Sequence, residues 1–286
     1  MKKTDLLLSL ILFSTLISCS CTGTKDRDTN SLNKEFAVYS NSVKDSFFIS
    51  VQLPVDYYKD TSAKYPVVYV PDANFYFPIL ASIIKQYGSG GLLPPIILVG
   101  IGYRSFEQMD SLRIRDYMYP ASLPSDEMNA VGGGRNFYDF ISGQLVPYID
   151  ANYNTEKNNR SLLGHSFGGY FSLYALLNQA ENNQTIFKNF ASASPSLWYN
   201  NFYLDQLAEK LSTRNNKDTL AIFVTVGGLE DSTWNIIPVK KLAGNIANAT
   251  IKNIKFENRI YSDLDHMDVS SVTFIKALQA FYPPNK

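Results

Sequence analysis

Short apolar runs alternate along this chain with longer segments in which apolar residues recur at helical spacing. The clearest runs are YPVVYVPD (65–72), PPIILVGIGY (94–103), RSLLGHS (160–166), FKNFASASPS (187–196) and AIFVTVGGLED (221–231). Runs that are apolar at successive positions suit strands buried on both faces of a parallel sheet. We therefore predict a strand in each run, together with two earlier strands at 35–40 and 46–54 joined by a polar turn.

The segments between these strands predict helices. Their apolar spacing places them at 75–88, 133–153, 168–180, 201–213, 236–249 and 268–282. Alternating strands and helices predict an α/β fold with a mostly parallel central sheet and helices on both faces. Ligands of such sheets bind at the carboxyl ends of the strands, so the residues that follow each run are candidate site residues.

The N-terminal segment is typical of a signal peptide. Lys2 and Lys3 precede an apolar stretch at 6–17, which is short for a membrane span. The stretch ends in Leu16-Ile17-Ser18-Cys19, which resembles a bacterial lipobox. The alternative is an ordinary secretory signal with a coincidental cysteine.

The lipobox interpretation divides the chain into three parts. In this interpretation residues 1–18 are a lipoprotein signal peptide, 19–34 a polar tether that starts at the lipidated Cys19, and 35–286 a folded domain. Cys21 fits a lipidation site less well, because the residues just before it, Cys19 included, do not supply the leucine that a lipobox has three positions ahead of its cysteine. We expect a protein of the bacterial cell envelope, held at a membrane through Cys19.

Composition narrows the chemistry further. The 286 residues include 26 Lys or Arg and 26 Asp or Glu, and the formal net charge is zero. Because no basic block is present, we expect no binding to nucleic acid. Cys19 and Cys21 are the only cysteines, so the predicted domain has no disulfide, thiol nucleophile or cysteine metal site. The 19 Tyr and 18 Phe fit either an aromatic core or a stacking surface for a ligand ring.

Gly164-His165-Ser166-Phe167-Gly168 fits the pattern G-x-S-x-G between a predicted strand and a predicted helix. In this context the glycines permit a sharp turn that holds the serine hydroxyl out at the positive end of the helix. We therefore predict Ser166 as a nucleophile.

A serine nucleophile needs a base, and the chain has two histidines. His165 lies inside the turn, where its side chain is expected to point into the structure. His266 lies in YSDLDHMDVS, which we place between one further predicted strand and the last predicted helix, and it is therefore the predicted base.

An acid that orients His266 should lie between Ser166 and His266 in the chain. Glu230 and Asp231 follow a predicted strand; we favour Glu230, and a serine–histidine dyad without an acid stays open. For the oxyanion hole we predict the backbone N–H of Phe167 and that of Ala73 or Asn74.

Other residues near strand ends are candidates for the substrate pocket. They are Asp72, Trp198, Tyr199 and Trp234; the three aromatic residues could equally pack within the fold. Arg113, Arg115 and Asp116 either meet an anionic substrate or form internal ion pairs.

Together these stretches resemble the enterochelin-esterase-like branch of the α/β-hydrolase fold, which includes siderophore trilactone esterases and relatives of esterase D. The resemblance spans about residues 36–283 and includes VQLPVDYY, YPVVYVPDANFYF, RIRDYMYP, LLGHSFGGYFSLYAL and the His266 segment. It implies an α/β-hydrolase that cleaves carboxylic esters with Ser166 and His266.

The predicted activity is two-step acyl transfer through an acyl-enzyme, which requires no metal or organic cofactor. We expect a small-molecule ester such as a catecholate trilactone siderophore. The alternatives are acetyl or feruloyl esters borne by a polysaccharide, or a lipid-anchored binding protein without activity.

Overall fold

A single sheet of eight strands organises the part of the chain that the computed structural model describes, residues 31–215 and 217–283. The strands are β1 Asn33–Ser40, β2 Asp45–Gln52, β3 Tyr65–Val70, β4 Ile97–Gly102, β5 Thr155–His165, β6 Asn189–Ala193, β7 Leu220–Gly227 and β8 Ile254–Tyr261. Their order across the sheet is β1-β2-β4-β3-β5-β6-β7-β8. β2 is antiparallel to both of its neighbours, and the remaining pairs are parallel. The predicted mostly parallel sheet is confirmed.

Helices connect the strands. They are α1 Ala73–Ser89, α2 Phe106–Tyr117, α3 Gly134–Phe140, α4 Val146–Asn152, α5 Phe167–Glu181, α6 Tyr199–Phe202, α7 Leu207–Thr213, α8 Ile237–Asn248 and α9 Asp268–Phe281. A π-helical turn over Ile141–Leu145 joins α3 to α4, so the helix predicted at 133–153 is continuous with one wide turn. Within the described residues, no helix has the length and apolar composition that a membrane span requires.

Side chains alternate between the two faces of the sheet and fill two separate cores. In β3, Val67 and Tyr69 belong to one buried cluster and Val68 and Val70 to the other. Helix α5 covers the first cluster, while α1 and α9 cover the second. The unbroken apolar runs of the sequence therefore reflect strands that are covered on both faces.

The N-terminal predictions lie largely outside the described residues. This holds for the signal peptide (1–18), for Cys19 and Cys21, and for most of the tether (19–34). Strand β1 begins at Asn33, before the predicted start of the domain at residue 35.

Helix α2 was not predicted, because its sequence lacks a continuous apolar stripe. It buries Met109, Asp116 and Tyr117. Its start is stabilised by Ser105, whose hydroxyl accepts a hydrogen bond of 3.3 Å from the backbone N–H of Gln108.

The helix predicted at 201–213 is interrupted in the structure. Asn200, Asn201 and Phe202 have positive φ angles, and regular helix resumes at Leu207.

Candidate active site

Ser166 occupies a sharp turn between β5 and α5. Its φ of 59 and ψ of -119 degrees are rarely adopted by a residue with a side chain. The flanking glycines make the turn possible. A Cβ atom on Gly164 would lie 1.9 Å from the carbonyl oxygen of Gly168, and one on Gly169 would lie 2.9 Å from that of Ala193. The turn therefore depends on a close crossing of strand and helix.

Two helix N-termini meet beside Ser166. The first hydrogen bond of α5 runs from Tyr170 N–H to Ser166 O, so the N–H of Phe167 has no acceptor within the helix. The first hydrogen bonds of α1 run from the N–H groups of Phe75 and Tyr76 to Asp72 O. The N–H groups of Ala73 and Asn74 therefore also have no acceptor within their helix.

The two helix N-termini are neighbours, because a Cβ on Gly168 would lie 3.1 Å from Asp72 Oδ2. The Asn74 side chain is fixed by hydrogen bonds to the backbone of Tyr103, and its backbone N–H stays at the start of α1.

His266 lies between β8 and α9, and its Nδ1 is 2.7 Å from Glu230 Oε2. A carboxylate only accepts hydrogen bonds, so Nδ1 carries the proton and the lone pair of Nε2 is free to accept one. His266 and Ser166 line the same cavity. The arrangement supplies an oriented imidazole next to a serine at a strained turn.

Several donors converge on the carboxylate of Glu230. Besides His266, they are the backbone N–H of Gly227 at 2.7 Å, the amide of Asn235 at 2.9 Å and the hydroxyl of Ser194. The Glu230 side chain is 1% exposed. Burial raises the pKa of Glu230, but hydrogen bonds from His266, Ser194 and Gly227 outweigh burial, and the pKa falls below its usual value.

Asp231, the alternative acid, faces elsewhere. Its carboxylate accepts a 2.8 Å hydrogen bond from the backbone N–H of Trp234 and thereby caps the following π-helical turn. The geometry therefore favours Glu230 as the residue that orients His266.

The second histidine, His165, is a buried link between the elbow and the His266 loop. Its Nε2 lies 2.6 Å from the backbone oxygen of His266, and its Nδ1 lies 2.6 Å from the hydroxyl of Tyr76. A carbonyl only accepts, so Nε2 donates and Nδ1 accepts from Tyr76. Burial, and then the proximity of His266, lower the pKa of His165 to about 3, so the ring is neutral near pH 7.

Asp72 and Arg113 form a second buried charged group. Asp72 is 2% exposed, and Arg113 binds both of its carboxylate oxygens, at 3.0 and 2.7 Å. Tyr117 donates a third hydrogen bond to the same carboxylate. The Arg113 guanidinium also lies over the ring of Phe167, 5.2 Å from its centroid. Arg113 therefore ties the start of α1 to the start of α5.

Arg115 and Asp116 are likewise engaged inside the protein. Arg115 binds Asp116 and Asp45, each at 2.8 Å. For all three residues of this segment, the structure matches internal ion pairing.

A cavity of about 270 Å³ opens above Ser166 and His266. Part of its wall is apolar and comes from Phe75 and Tyr76 of α1 and from Met267. Helix α2 contributes residues 106, 109, 110 and 113, which share one helical face. Asp72 also lines this cavity, as predicted.

A second cavity, of about 300 Å³, lies at the opposite, amino end of β4 and is lined by Leu53, Ile84 and Ile96. Because ligands of parallel sheets bind at the carboxyl ends, the cavity at Ser166 is the candidate site. Within residues 31–215 and 217–283, no group of His, Cys, Asp or Glu side chains is placed to hold a metal ion.

Three predicted pocket residues do not line this cavity. Tyr199 is fully buried, and its hydroxyl donates to Pro120 O at 2.7 Å. Trp198 packs against the core, and its ring centroid lies 6.4 Å from that of Phe167. Trp234 lies 55% exposed in the turn after Glu230. The chain after β6 thus carries Trp198 and Tyr199 towards the core, and the turn after β7 leaves Trp234 exposed, so the structure does not place these three residues at the cavity.

The residues that the sequence analysis missed fall into three groups. Ser194 directly follows β6, at a strand end where polar residues were expected to matter. Phe106, Met109 and Asp110 belong to the helix that was not predicted, although their spacing to Arg113 is that of one helical face. Phe75 and Met267 are neighbours of predicted site residues.

A mostly parallel sheet with a serine elbow and a histidine after the last strand defines an α/β-hydrolase. Residues 40–278 match the family model described as "Putative esterase", and the chain belongs to this family. It is a serine esterase, like the relatives it resembles.

The relatives include the ferri-bacillibactin esterase BesA of Bacillus subtilis strain 168, 31% identical over 77% of this chain and 80% of that protein. The apo-salmochelin esterase of Escherichia coli O6:H1 is 30% identical over 46% of this chain and 42% of that protein. The crystal structure of the BES protein from Bacillus cereus superposes with a TM-score of 0.77 at 24% identity, covering 98% of this chain and 99% of that one.

Replacing Arg113 with Leu should lower the free energy of unfolding by about 3 to 5 kcal/mol, because the Asp72 carboxylate stays buried without its counter-ion. Urea unfolding followed by circular dichroism measures the change. The double variant Asp72→Asn/Arg113→Leu should recover at least about 1 kcal/mol, because it removes the unpaired charge.

The exposed pair Lys59–Asp56 provides the control for this prediction, and Lys59→Ala should unfold close to wild type. A similarly small change in Arg113→Leu would contradict a stabilising role for the buried pair.

Proposed function

We propose that this serine esterase hydrolyses ester bonds of siderophores through an acyl-enzyme. In this proposal Ser166 is the nucleophile, His266 the general base and Glu230 the residue that orients His266. The observation that carries the proposal is the 2.7 Å contact between His266 and Glu230 beside the cavity that His266 shares with Ser166. The relatives described as siderophore esterases support the choice of substrate.

The first step forms the acyl-enzyme. His266 Nε2 accepts the Ser166 proton while the serine oxygen attacks the ester carbonyl. The N–H groups of Phe167 and of Ala73 or Asn74 donate to the oxygen that becomes negative. The ionised Glu230 stabilises the imidazolium, which then gives its proton to the departing alcohol.

The second step releases the acid. His266 takes a proton from water, which attacks the acyl carbon and regenerates a tetrahedral oxyanion. As this intermediate collapses, the protonated His266 returns its proton to Ser166. The free enzyme is restored, and atoms and charges balance without a further reactant.

The walls of the cavity suit an aromatic acyl group. Phe75 and Phe106 are 36% and 51% exposed, their ring centroids are 6.2 Å apart, and both line the cavity. Aromatic rings pack favourably in offset or tilted arrangements at such separations. A catechol ring packed against the exposed surface of these two side chains therefore fits this proposal.

Glu230→Gln should lower kcat by roughly 10²- to 10⁴-fold, because an amide cannot stabilise the imidazolium that forms in the transition state. Hydrolysis of an activated aryl ester measures the loss. The matched control is Asp231→Asn, which removes the neighbouring carboxylate that caps Trp234 and should leave kcat within about threefold of wild type. Near-normal rates for both variants would leave a Ser166–His266 dyad.

Ser166→Ala should lower the rate of ester hydrolysis by a factor on the order of 10⁴ or more while the protein stays folded.

The substrate proposal is tested on the wild type with metal-free and iron-loaded catecholate trilactones beside acetylated and feruloylated glycans. We expect the trilactones to be hydrolysed with the highest kcat/KM. Preferential cleavage of glycan esters would refute the siderophore assignment and support the alternative predicted from the sequence.

We also propose that lipidation of Cys19 holds the protein at a membrane of the bacterial cell envelope; the support is the sequence Leu16-Ile17-Ser18-Cys19. Cys19→Ala should move the protein into the soluble fraction without changing its kcat/KM, because the catalytic residues lie in the folded domain. Fractionation after a high-salt wash measures the change, and Cys21→Ala serves as the control. Membrane retention of Cys19→Ala would refute the anchor.

A further inference from the structure

The end of β6 and the chain that directly follows it hold the serine elbow from one side. Ser166 N–H donates to the backbone oxygen of Ala193 at 3.0 Å, and Ser196 N–H donates to the backbone oxygen of Ser166 at 3.3 Å. Ser194 lies between these two anchor points, and its own N–H donates to Thr225 O of β7 at 2.8 Å. Backbone hydrogen bonds therefore fix the position of Ser194 relative to the elbow.

The side chain of Ser194 meets the other half of the proposed catalytic machinery. Its hydroxyl donates to Glu230 Oε2, and its Oγ lies 3.0 Å from His266 Nδ1, which is itself 2.7 Å from the same carboxylate oxygen. Because the hydroxyl proton points to the carboxylate, the lone pairs of Oγ are left to face Nδ1. Nδ1 is then flanked by two acceptors, and this favours the tautomer of His266 that carries its proton on Nδ1.

The hydroxyl of Ser194 is also a donor that water cannot easily replace. Ser194 is buried, whereas Asn235, which donates to the same oxygen of Glu230 at 2.9 Å, is only partly buried. The other carboxylate oxygen is bound by the backbone N–H of Gly227. Loss of a donor to a buried ionised group costs more than loss of a neutral hydrogen bond at the surface. Among the side chains that donate to Glu230 besides His266, Ser194 is therefore the one whose loss should matter most.

From these contacts, and resting on the roles proposed above for Ser166, His266 and Glu230, we propose that Ser194 is a positioning residue of the esterase reaction. Its hydroxyl holds the Glu230 carboxylate against His266 and keeps the proton of the neutral ring on Nδ1, so that Nε2 accepts the proton of Ser166. Ser194 is not among the described residues that line the cavity, so it acts through the catalytic pair and not on the ester.

The first test removes the hydroxyl. Ser194→Ala should lower kcat for an activated aryl ester by about 10- to 100-fold and leave KM within about twofold, because the lost hydrogen bond acts on the catalytic pair. Ser194→Gly deletes the same hydroxyl. Since Ser194 has a φ of 40°, which glycine adopts without strain, an equal loss in both variants assigns the effect to the hydroxyl.

The matched control is Ser172→Ala, which removes a buried serine hydroxyl of α5 that donates to Leu162 O at 3.2 Å. It should leave kcat within about threefold of wild type, because this hydroxyl contacts neither His266 nor Glu230. Urea unfolding of all three variants verifies that each is folded under the assay conditions.

A double-mutant cycle separates positioning from a general structural role. In the Glu230→Gln background, Ser194→Ala should lower kcat by a factor at least about three times smaller than in the wild type. The reason is that the hydroxyl acts through the ionised carboxylate, which the glutamine lacks. If Ser194 only supported the fold, the factor would be the same in both backgrounds.

The outcomes distinguish this inference from the proposed function. Near-normal kcat in both Ser194 variants, with Glu230→Gln strongly impaired, would refute the role of Ser194 and leave the proposed function intact. Equal factors in the two backgrounds, or a loss in Ser194→Ala that Ser194→Gly does not share, would also refute it. Near-normal kcat in Glu230→Gln would overturn the proposed role of Glu230 and the inference that rests on it.

Discussion

The close crossing of β5 and α5 at Gly164 is the constraint on which the site depends. With the Gly164 α-carbon packed against the carbonyl of Gly168, the chain has no space for a gentler turn, and Ser166 is forced to a positive φ. Such a conformation costs about 1 to 3 kcal/mol and persists only when its surroundings fix it. The surroundings do so here, since Ser166 N–H donates to Ala193 O at 3.0 Å and anchors the elbow to β6.

Fixing the elbow also fixes the positions of its neighbours. Arg113 contacts the elbow from α2 through the His165 backbone and the Phe167 ring, and it holds Asp72 at the start of α1. Asp72 itself has a positive φ of 53°, so the backbone on both sides of the proposed oxyanion hole is unusual. A bidentate arginine suits this task better than a lysine, because its planar fork fixes both carboxylate oxygens at once. The buried ion pair is thus a means of positioning backbone donors.

The parts of this architecture that local sequence could predict are those that local physics determines. Strands β3 to β7 were predictable because burial on both faces requires apolar residues at successive positions. The sharp turn at Ser166 was predictable from its flanking glycines, and His266 is the proposed base because the chain has few histidines. Helix α2 was not, because its stability comes from packing and from the Ser105 cap, with no apolar stripe to reveal it.

Dependence on contacts that are distant in the chain also explains why the sequence analysis placed Trp198 and Tyr199 at the pocket. Trp198 and Tyr199 follow β6 at the edge where ligands bind, but Tyr199 turns inward to pack against Tyr170 at 5.3 Å. The contact of Ser194 with Glu230 joins residues 36 positions apart, and no local pattern encodes such a pair. Residues that act through distant partners therefore require the fold before their roles can be assigned.

His165 shows why a neutral group is placed between charged ones. It lies with its ring centroid 4.6 Å from that of His266, and a proton on it would repel the imidazolium that the proposed mechanism forms. Burial keeps His165 neutral, while the backbone oxygen of His266, which can only accept, fixes the tautomer in which Nε2 of His165 donates and its Nδ1 accepts from Tyr76. His266 is thus held from two directions, by Glu230 at its side chain and by His165 at its backbone. Because Glu230 binds Nδ1, Nε2 is the ring nitrogen of His266 that is available for the proton of Ser166 in the proposed mechanism.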